Sequence, residues 1–76
     1  MIKPGNYKHY KGREYEVLYL AKNANDDSNP NNTVVVYKQL YDALNYPKNT
    51  VWARNLNEFE GEVEVNGVKM KRFVMV

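Results

Sequence analysis

Residues 5–17, G-N-Y-K-H-Y-K-G-R-E-Y-E-V, hold three tyrosines, the only histidine and two glycines within thirteen positions. Gly5 and Gly12 bracket a short extended segment. Within it Tyr7, His9 and Lys11 share one face while Lys8 and Tyr10 share the other, because successive side chains of a strand point to opposite sides. Lys11-Gly12-Arg13 reads as the reversal, with Gly12 free to take a positive φ if the turn requires one. Glu14-Tyr15-Glu16-Val17 then alternates polar and apolar, the pattern of a half-buried strand with Tyr15 and Val17 inward. The stretch predicts a β-hairpin that starts the fold. It also carries the densest group of side chains able to bind or react.

The chain has 76 residues, enough for one domain near the size at which folding buries only about 60% of the unfolded surface. A deep catalytic cleft is hard to build at that size. Cysteine is absent and histidine single, so disulfides, thiolate zinc sites and His-rich metal sites are excluded, and neither a cofactor nor a metal is expected. Packing must supply the stability. Seven tyrosines can fill a small core while keeping their hydroxyls at its wet rim.

No run approaches the roughly 20 apolar residues of a membrane span, and residues 1–4, M-I-K-P, lack the apolar centre of a secretory signal. A soluble cytoplasmic protein with no membrane partner is expected. The net charge of +2 is mild, yet residues 1–13 contain Lys3, Lys8, Lys11 and Arg13 and no acid. That allows a weak basic patch. Glu58, Glu60, Glu62 and Glu64 follow at every second position and would give such a patch an acidic neighbour, so bulk charge does not choose a partner.

Beyond the opening hairpin, the second strand is expected over residues 14–22, continuing through Leu18, Tyr19 and Leu20 as an apolar run covered on both sides for part of its length. Residues 23–32, N-A-N-D-D-S-N-P-N-N, form the clearest loop, solvated and mobile. Asp26 and Asp27 lack the alternating acidic spacing of a calcium loop. Residues 33–41, T-V-V-V-Y-K-Q-L-Y, are β-branched and aromatic and predict a central strand. Residues 42–49, with Tyr46-Pro47, predict an irregular connection, the alternative being a helical turn over residues 38–44.

Residues 51–54 predict a short strand, and residues 55–59 a single helical turn. There Asn55 would cap the free amides through its side chain, Glu58 would complete a capping box, and Leu56 and Phe59 would pin the turn to the core. Asn66-Gly67 predicts a two-residue type I′ hairpin. Its register sets Val65 against Val68, Glu64 against Lys69, Val63 against Met70 and Glu62 against Lys71. Continued pairing would put Arg72 on the apolar face, so a bulge or an end of pairing is expected there, after which residues 73–76 return to the core or close a barrel.

In order, the chain shows G-x-Y-x-H-Y-K-G-x-x-Y-x-V at residues 5–17, V-V-Y-x-x-L-Y at residues 35–41, W-x-R-x-x-x-x-F at residues 52–59 and R-F at residues 72–73. Together these resemble the small bacterial family of domains of unknown function 1653 over nearly the whole chain. The resemblance implies a single-domain bacterial protein and brings no activity with it. The chain departs from the family pattern after the second strand, where Ala21-Lys22-Asn23-Ala24-Asn25-Asp26 stand, and at Asn55, where a proline is usual.

The fold expected is all-β, a small SH3-like, five-stranded, partly open barrel with one short helical turn late in the chain; a small α+β twisted sheet is the alternative. Tyr15, Tyr37, Trp52, Phe59 and Phe73 are assigned to the core, and Tyr7, Tyr10 and Tyr41 to the surface. His9 has no orienting partner or nucleophile marked by spacing, since Ser28 lies in the loop and Thr33 and Thr50 at strand ends, so no enzyme is expected. The expected function is non-enzymatic recognition through an aromatic and basic face of Tyr7, His9, Tyr10, Lys11, Arg13, Trp52 and Arg54. Tyr37 and Tyr41 would join its stacking platform. The partner is nucleic acid or a peptide, and the other reading is a homodimer formed through a strand edge.

Overall fold

The computed structural model describes residues 2–76. Gly5–His9 (β1) and Glu14–Lys22 (β2) pair antiparallel in a register that sets Tyr7 opposite Tyr15 and Lys8 opposite Glu14. Gly12 takes φ +99° in the turn, and its N–H donates to the His9 carbonyl at 2.7 Å. That left-handed geometry is cheap only for glycine. Lys11 lies in the turn rather than on the strand.

β2 runs over the expected residues but carries a bulge: Val17 pairs with Tyr37 and Tyr19 with Val36, leaving Leu18 without a partner. The extra residue lets the apolar run of residues 17–20 turn different side chains to the core, Val17 fully buried and Tyr19 mostly exposed. Thr33–Gln39 (β3) lies between β2 and Val51–Asn55 (β4). It is an interior strand that stops two residues short of the expected end. Residues 40–50 are irregular, so the helical turn of the α+β alternative does not form.

Leu56–Phe59 (α1) is the expected single turn, with Phe59 wholly buried and Leu56 packed against the core. Its start differs from expectation. Asn55 makes no side-chain cap hydrogen bond, because the residue is still held in the β4 ladder opposite Val34.

Glu62–Val65 (β5) and Val68–Lys71 (β6) pair in the register expected, and Asn66 and Gly67 adopt the positive φ of the turn, 52° and 80°. This hairpin is a separate two-stranded sheet. Pairing stops at Arg72, whose N–H turns to the Gly61 carbonyl at 3.0 Å. Phe73–Met75 (β7) then pairs antiparallel with β1 and sends Phe73 into the core.

The large sheet has the order β4-β3-β2-β1-β7. The chain is therefore all-β, with strands, one short helix and a 3-10 turn at Ala24–Asp26, and its sheets do not close into a barrel. The loop of residues 23–32 is built from its own side chains: Asn23 Oδ1 accepts from the Asn25 N–H, and Asn32 Nδ2 donates to the Asp26 carbonyl. Such local bonds are what Asn-rich turns offer in place of a core. Among the described residues no helix is long and apolar enough to cross a membrane.

The core sits on one face of the large sheet. Tyr7, Val17, Val35, Tyr37 and Phe73 point to it from the strands, and Phe59 covers them from α1. The Phe59 ring stacks on Phe73 at 4.0 Å between centroids and meets Tyr7 and Tyr37 edge-on at 5.5 and 5.4 Å. Edge-to-face and stacked rings at these separations add to the area that they bury.

Candidate functional site

The same sheet face continues beyond the cover of α1. Tyr15 is opposite Gln39 across β2 and β3, Tyr37 opposite Trp52 across β3 and β4, and Val35 opposite Arg54. Cross-strand partners share a face, so Tyr15, Tyr37, Gln39, Trp52 and Arg54 follow from the pairing alone. Residues 40–50 then bring Tyr41, Ala43 and Tyr46 over the open end. Together these eight residues line an open cleft of about 220 Å³.

The loop is held by one side chain. Gln39 is 1% exposed; its Nε2 donates to the carbonyls of Tyr41 at 2.9 Å and Tyr46 at 2.6 Å, and its Oε1 accepts from Trp52 Nε1 at 2.9 Å. Both amide hydrogens and the carbonyl are thus satisfied, as a buried amide requires. The loop adds its own bonds, a reciprocal pair between Ala43 and Tyr46 and an Asp42 Oδ1 that accepts from the Lys48 N–H. Asn49, at φ 76°, turns the chain back into β4. At the tip Leu44 stands almost wholly in solvent.

The walls are aromatic and the rim is basic. Tyr46 meets Trp52 edge-on at 4.7 Å, and Tyr15 meets Tyr41 at 5.5 Å and Tyr37 at 5.4 Å. The hydroxyls of Tyr15 and Tyr41 are hydrogen-bonded to each other. Burial, and then that hydrogen bond, hold the Tyr15 phenol well above the ordinary tyrosine range, so it stays protonated. Arg54 Nε donates to Tyr37 Oη at 3.3 Å, which raises the guanidinium further. The Arg13 guanidinium lies over the Tyr41 ring, 4.7 Å from its centroid. Among the described residues the only ion pair is Lys38 with Glu16, at 3.5 Å, so neither arginine is bridged to a carboxylate.

Of the residues expected to bind, Trp52 and Arg54 line the cleft and Arg13 reaches it over Tyr41. His9, Tyr10 and Lys11 form a neighbouring cluster in and beside the first turn, with His9 4.5 Å from the Tyr10 ring and 6.3 Å from Tyr15, and Lys11 over Tyr10 at 5.7 Å. Tyr7 is a correction. It is 4% exposed, on the strand between β2 and β7, and its hydroxyl donates to the Lys3 carbonyl at 2.8 Å, so it belongs to the core rather than the surface. Tyr15 and Trp52, assigned to the core, are only half-buried and serve as walls. Gln39 and Tyr46 were not expected at the site. The available signal for Gln39 was its parity with Val35 and Tyr37, which put a polar amide on the inward face of β3.

His9 has its Nδ1 engaged by the Lys11 N–H at 3.2 Å. Burial first, and then the charges of Arg72, Lys11 and Arg54, lower its affinity for a proton, so its neutral form is favoured. The Thr50 hydroxyl donates to the Pro47 carbonyl and the Thr33 hydroxyl accepts from Lys22 Nζ. Neither is paired with the imidazole.

The chain matches DUF1653, described as a protein family of unknown function, over residues 5–75. It is similar to the crystal structure of a DUF1653 protein from Bordetella bronchiseptica. The two are 33% identical with a TM-score of 0.77, over 99% of this chain and 87% of that one. No curated protein matches the chain.

Proposed function

This chain belongs to the DUF1653 family, whose function is unknown, and from that premise we propose that it is a non-enzymatic recognition module that binds single-stranded nucleic acid in the cleft between β2, β3, β4 and residues 40–50. The observation that carries the reading is one open cavity of about 220 Å³ walled by four tyrosines and Trp52, with Arg54 in its lining and Arg13 over one of its rings. Flat apolar walls suit a nucleobase, and each base stacked on such a ring contributes about 1–3 kcal/mol. Arg13, at the rim over Tyr41 and without a carboxylate partner, suits the phosphate that follows. Lys11, with His9 and Tyr10 beside it, extends the positive rim toward the first turn. An aromatic cage for a cation is disfavoured by the same arginines.

The absence of catalysis in this reading is supported by the engagement of His9 Nδ1 and by the local hydrogen bonds that occupy Thr33 and Thr50. A cytoplasmic setting goes with it, since a cysteine-free domain of this size has none of the staples common in small secreted ones.

Trp52, the single tryptophan, reports directly on the wall. Titration with a mixed-sequence single-stranded RNA of about ten nucleotides should quench its emission and move the amide signals of residues 41–46 and 52–54. Contact with about two or three phosphates gives a slope near −2 in log K against log salt. Binding that holds its strength from about 50 to 200 mM salt, or that appears only with a proline-rich peptide, replaces nucleic acid by a peptide groove. A second reading rests on the outer edge of β7, where Val74, Met75 and Val76 are each more than half exposed. An open edge with apolar side chains can pair with its copy, and a dimer mass in light scattering is its test.

A further inference from the structure

The hydrogen-bonding groups left free in the cleft are not balanced between donors and acceptors. Gln39 Oε1 is taken by the Trp52 indole, and its Nε2 is taken by the carbonyls of Tyr41 and Tyr46. The Ala43 carbonyl accepts from the Tyr46 N–H, and the Gln39 carbonyl from the Asn49 N–H. These bonds occupy donors and acceptors of the loop in equal number.

What remains with fixed polarity is donating. Arg54 uses Nε on Tyr37 and keeps its terminal Nη hydrogens for a ligand. A guanidinium has five N–H donors and no acceptor. The hydroxyls of Tyr15, Tyr37 and Tyr41 can turn to donate or accept, so they adapt to whichever edge arrives and do not choose.

We propose that the cleft prefers keto bases, uracil and guanine, over the amino bases cytosine and adenine. The inference rests on the nucleic-acid reading above and names the ligand class within it. Uracil O4, and the O6 and N7 pair of guanine, are acceptors that an arginine edge can meet. Cytosine and adenine present an amino donor at the equivalent position, where it faces a guanidinium that has no acceptor to receive its hydrogens. An arginine fork on guanine O6 and N7 is the commonest specific contact of this kind. A donor held against a donor forfeits the contact that a keto oxygen would make there, and this asymmetry separates the two classes of base where stacking does not.

The test compares oligouridylate with oligocytidylate of about ten nucleotides, so that ring size and charge are equal, using quenching of Trp52 in wild-type protein at physiological salt. GMP against AMP, followed by amide shifts, repeats the comparison for purines. Uridylate should bind about ten-fold tighter or more, and Arg54→Gln, which offers an amide acceptor beside its donors, should reduce the preference to near equality while the melting curve stays cooperative. Cytidylate binding as tightly as uridylate overturns the base preference and leaves nucleic-acid binding standing. Failure of both oligomers to bind overturns the two together.

Discussion

Replacing Gln39 by methionine keeps the length and nearly the volume of the side chain while removing all of its polar atoms, so the cost measures its hydrogen bonds rather than a cavity. Three bonds go, from Nε2 to the Tyr41 and Tyr46 carbonyls and from Trp52 Nε1 to Oε1. They are not equal losses. The Tyr46 carbonyl keeps the Ala43 N–H as a donor at 2.9 Å, whereas the Tyr41 carbonyl and the Trp52 indole have no other partner among the described residues. Each buried group left unsatisfied costs about 1–3 kcal/mol. Both belong to half-buried residues that water can reach if the loop swings out, so the lower half applies and the sum is about 2–4 kcal/mol. For a domain of this size each kcal/mol is worth about 4–8 °C in Tm.

Thermal melts followed by far-ultraviolet circular dichroism, with urea titrations for the free energy, give the number. Trp52 emission should move to the red in the folded variant as the indole loses its partner and the loop opens. A variant that loses less than about 1 kcal/mol and keeps its native emission would refute the claim that Gln39 holds residues 40–50 in place. The cleft would then need another explanation for its shape.

The imidazole gives a pH dependence of known sign. Its proton affinity is lowered in the fold, so the unfolded chain binds more protons through the window below about pH 6.5. The stability tied to neutral His9 is complete above that pH and is lost as pH falls through the folded value; melts at about pH 7.5 and pH 5 should differ by more in wild type than in His9→Gln. Equal differences in the two proteins would show that His9 is not the group responsible. Asn55→Ala should cost less than about 0.5 kcal/mol, well under the usual loss for a capping asparagine, because its side chain makes no cap bond. A full capping loss in the same urea titration would mean that the helix start differs from the one described.

Sequence legibility followed the range of the forces involved. The register of β5 and β6 was readable to the residue, because a two-residue Asn-Gly turn leaves one pairing that puts Val63, Val65, Val68 and Met70 on a single face. The termination at Arg72 was readable for the same reason. The bulge at Leu18 was not, since a four-residue apolar run satisfies either parity and only the pairing to β3 decides. Tyr7 shows the limit most clearly. Strand alternation set it on the face shared with His9, which was right, but whether that face is covered depends on Phe59, some fifty residues later.

The site follows from that division. A single sheet face runs from Tyr7 through Tyr15 and Tyr37 to Gln39, Trp52 and Arg54, and parity alone gives all of them the same direction. α1 is only one turn long, too short to cover the whole face, so the part beneath Phe59 becomes core and the remainder stays open to solvent. The loop of residues 40–50 borders the open part without sealing it, because Gln39 draws its carbonyls down toward the sheet. The polar residue on the inward face of β3 thus separates the core from the site, and its three hydrogen bonds occupy donors and acceptors alike, the Trp52 indole and both amide hydrogens among the donors. The donor character behind the proposed base preference belongs to the Arg54 guanidinium, whereas the stability predicted to fall in Gln39→Met belongs to the Gln39 bonds, so the two predictions are tested independently.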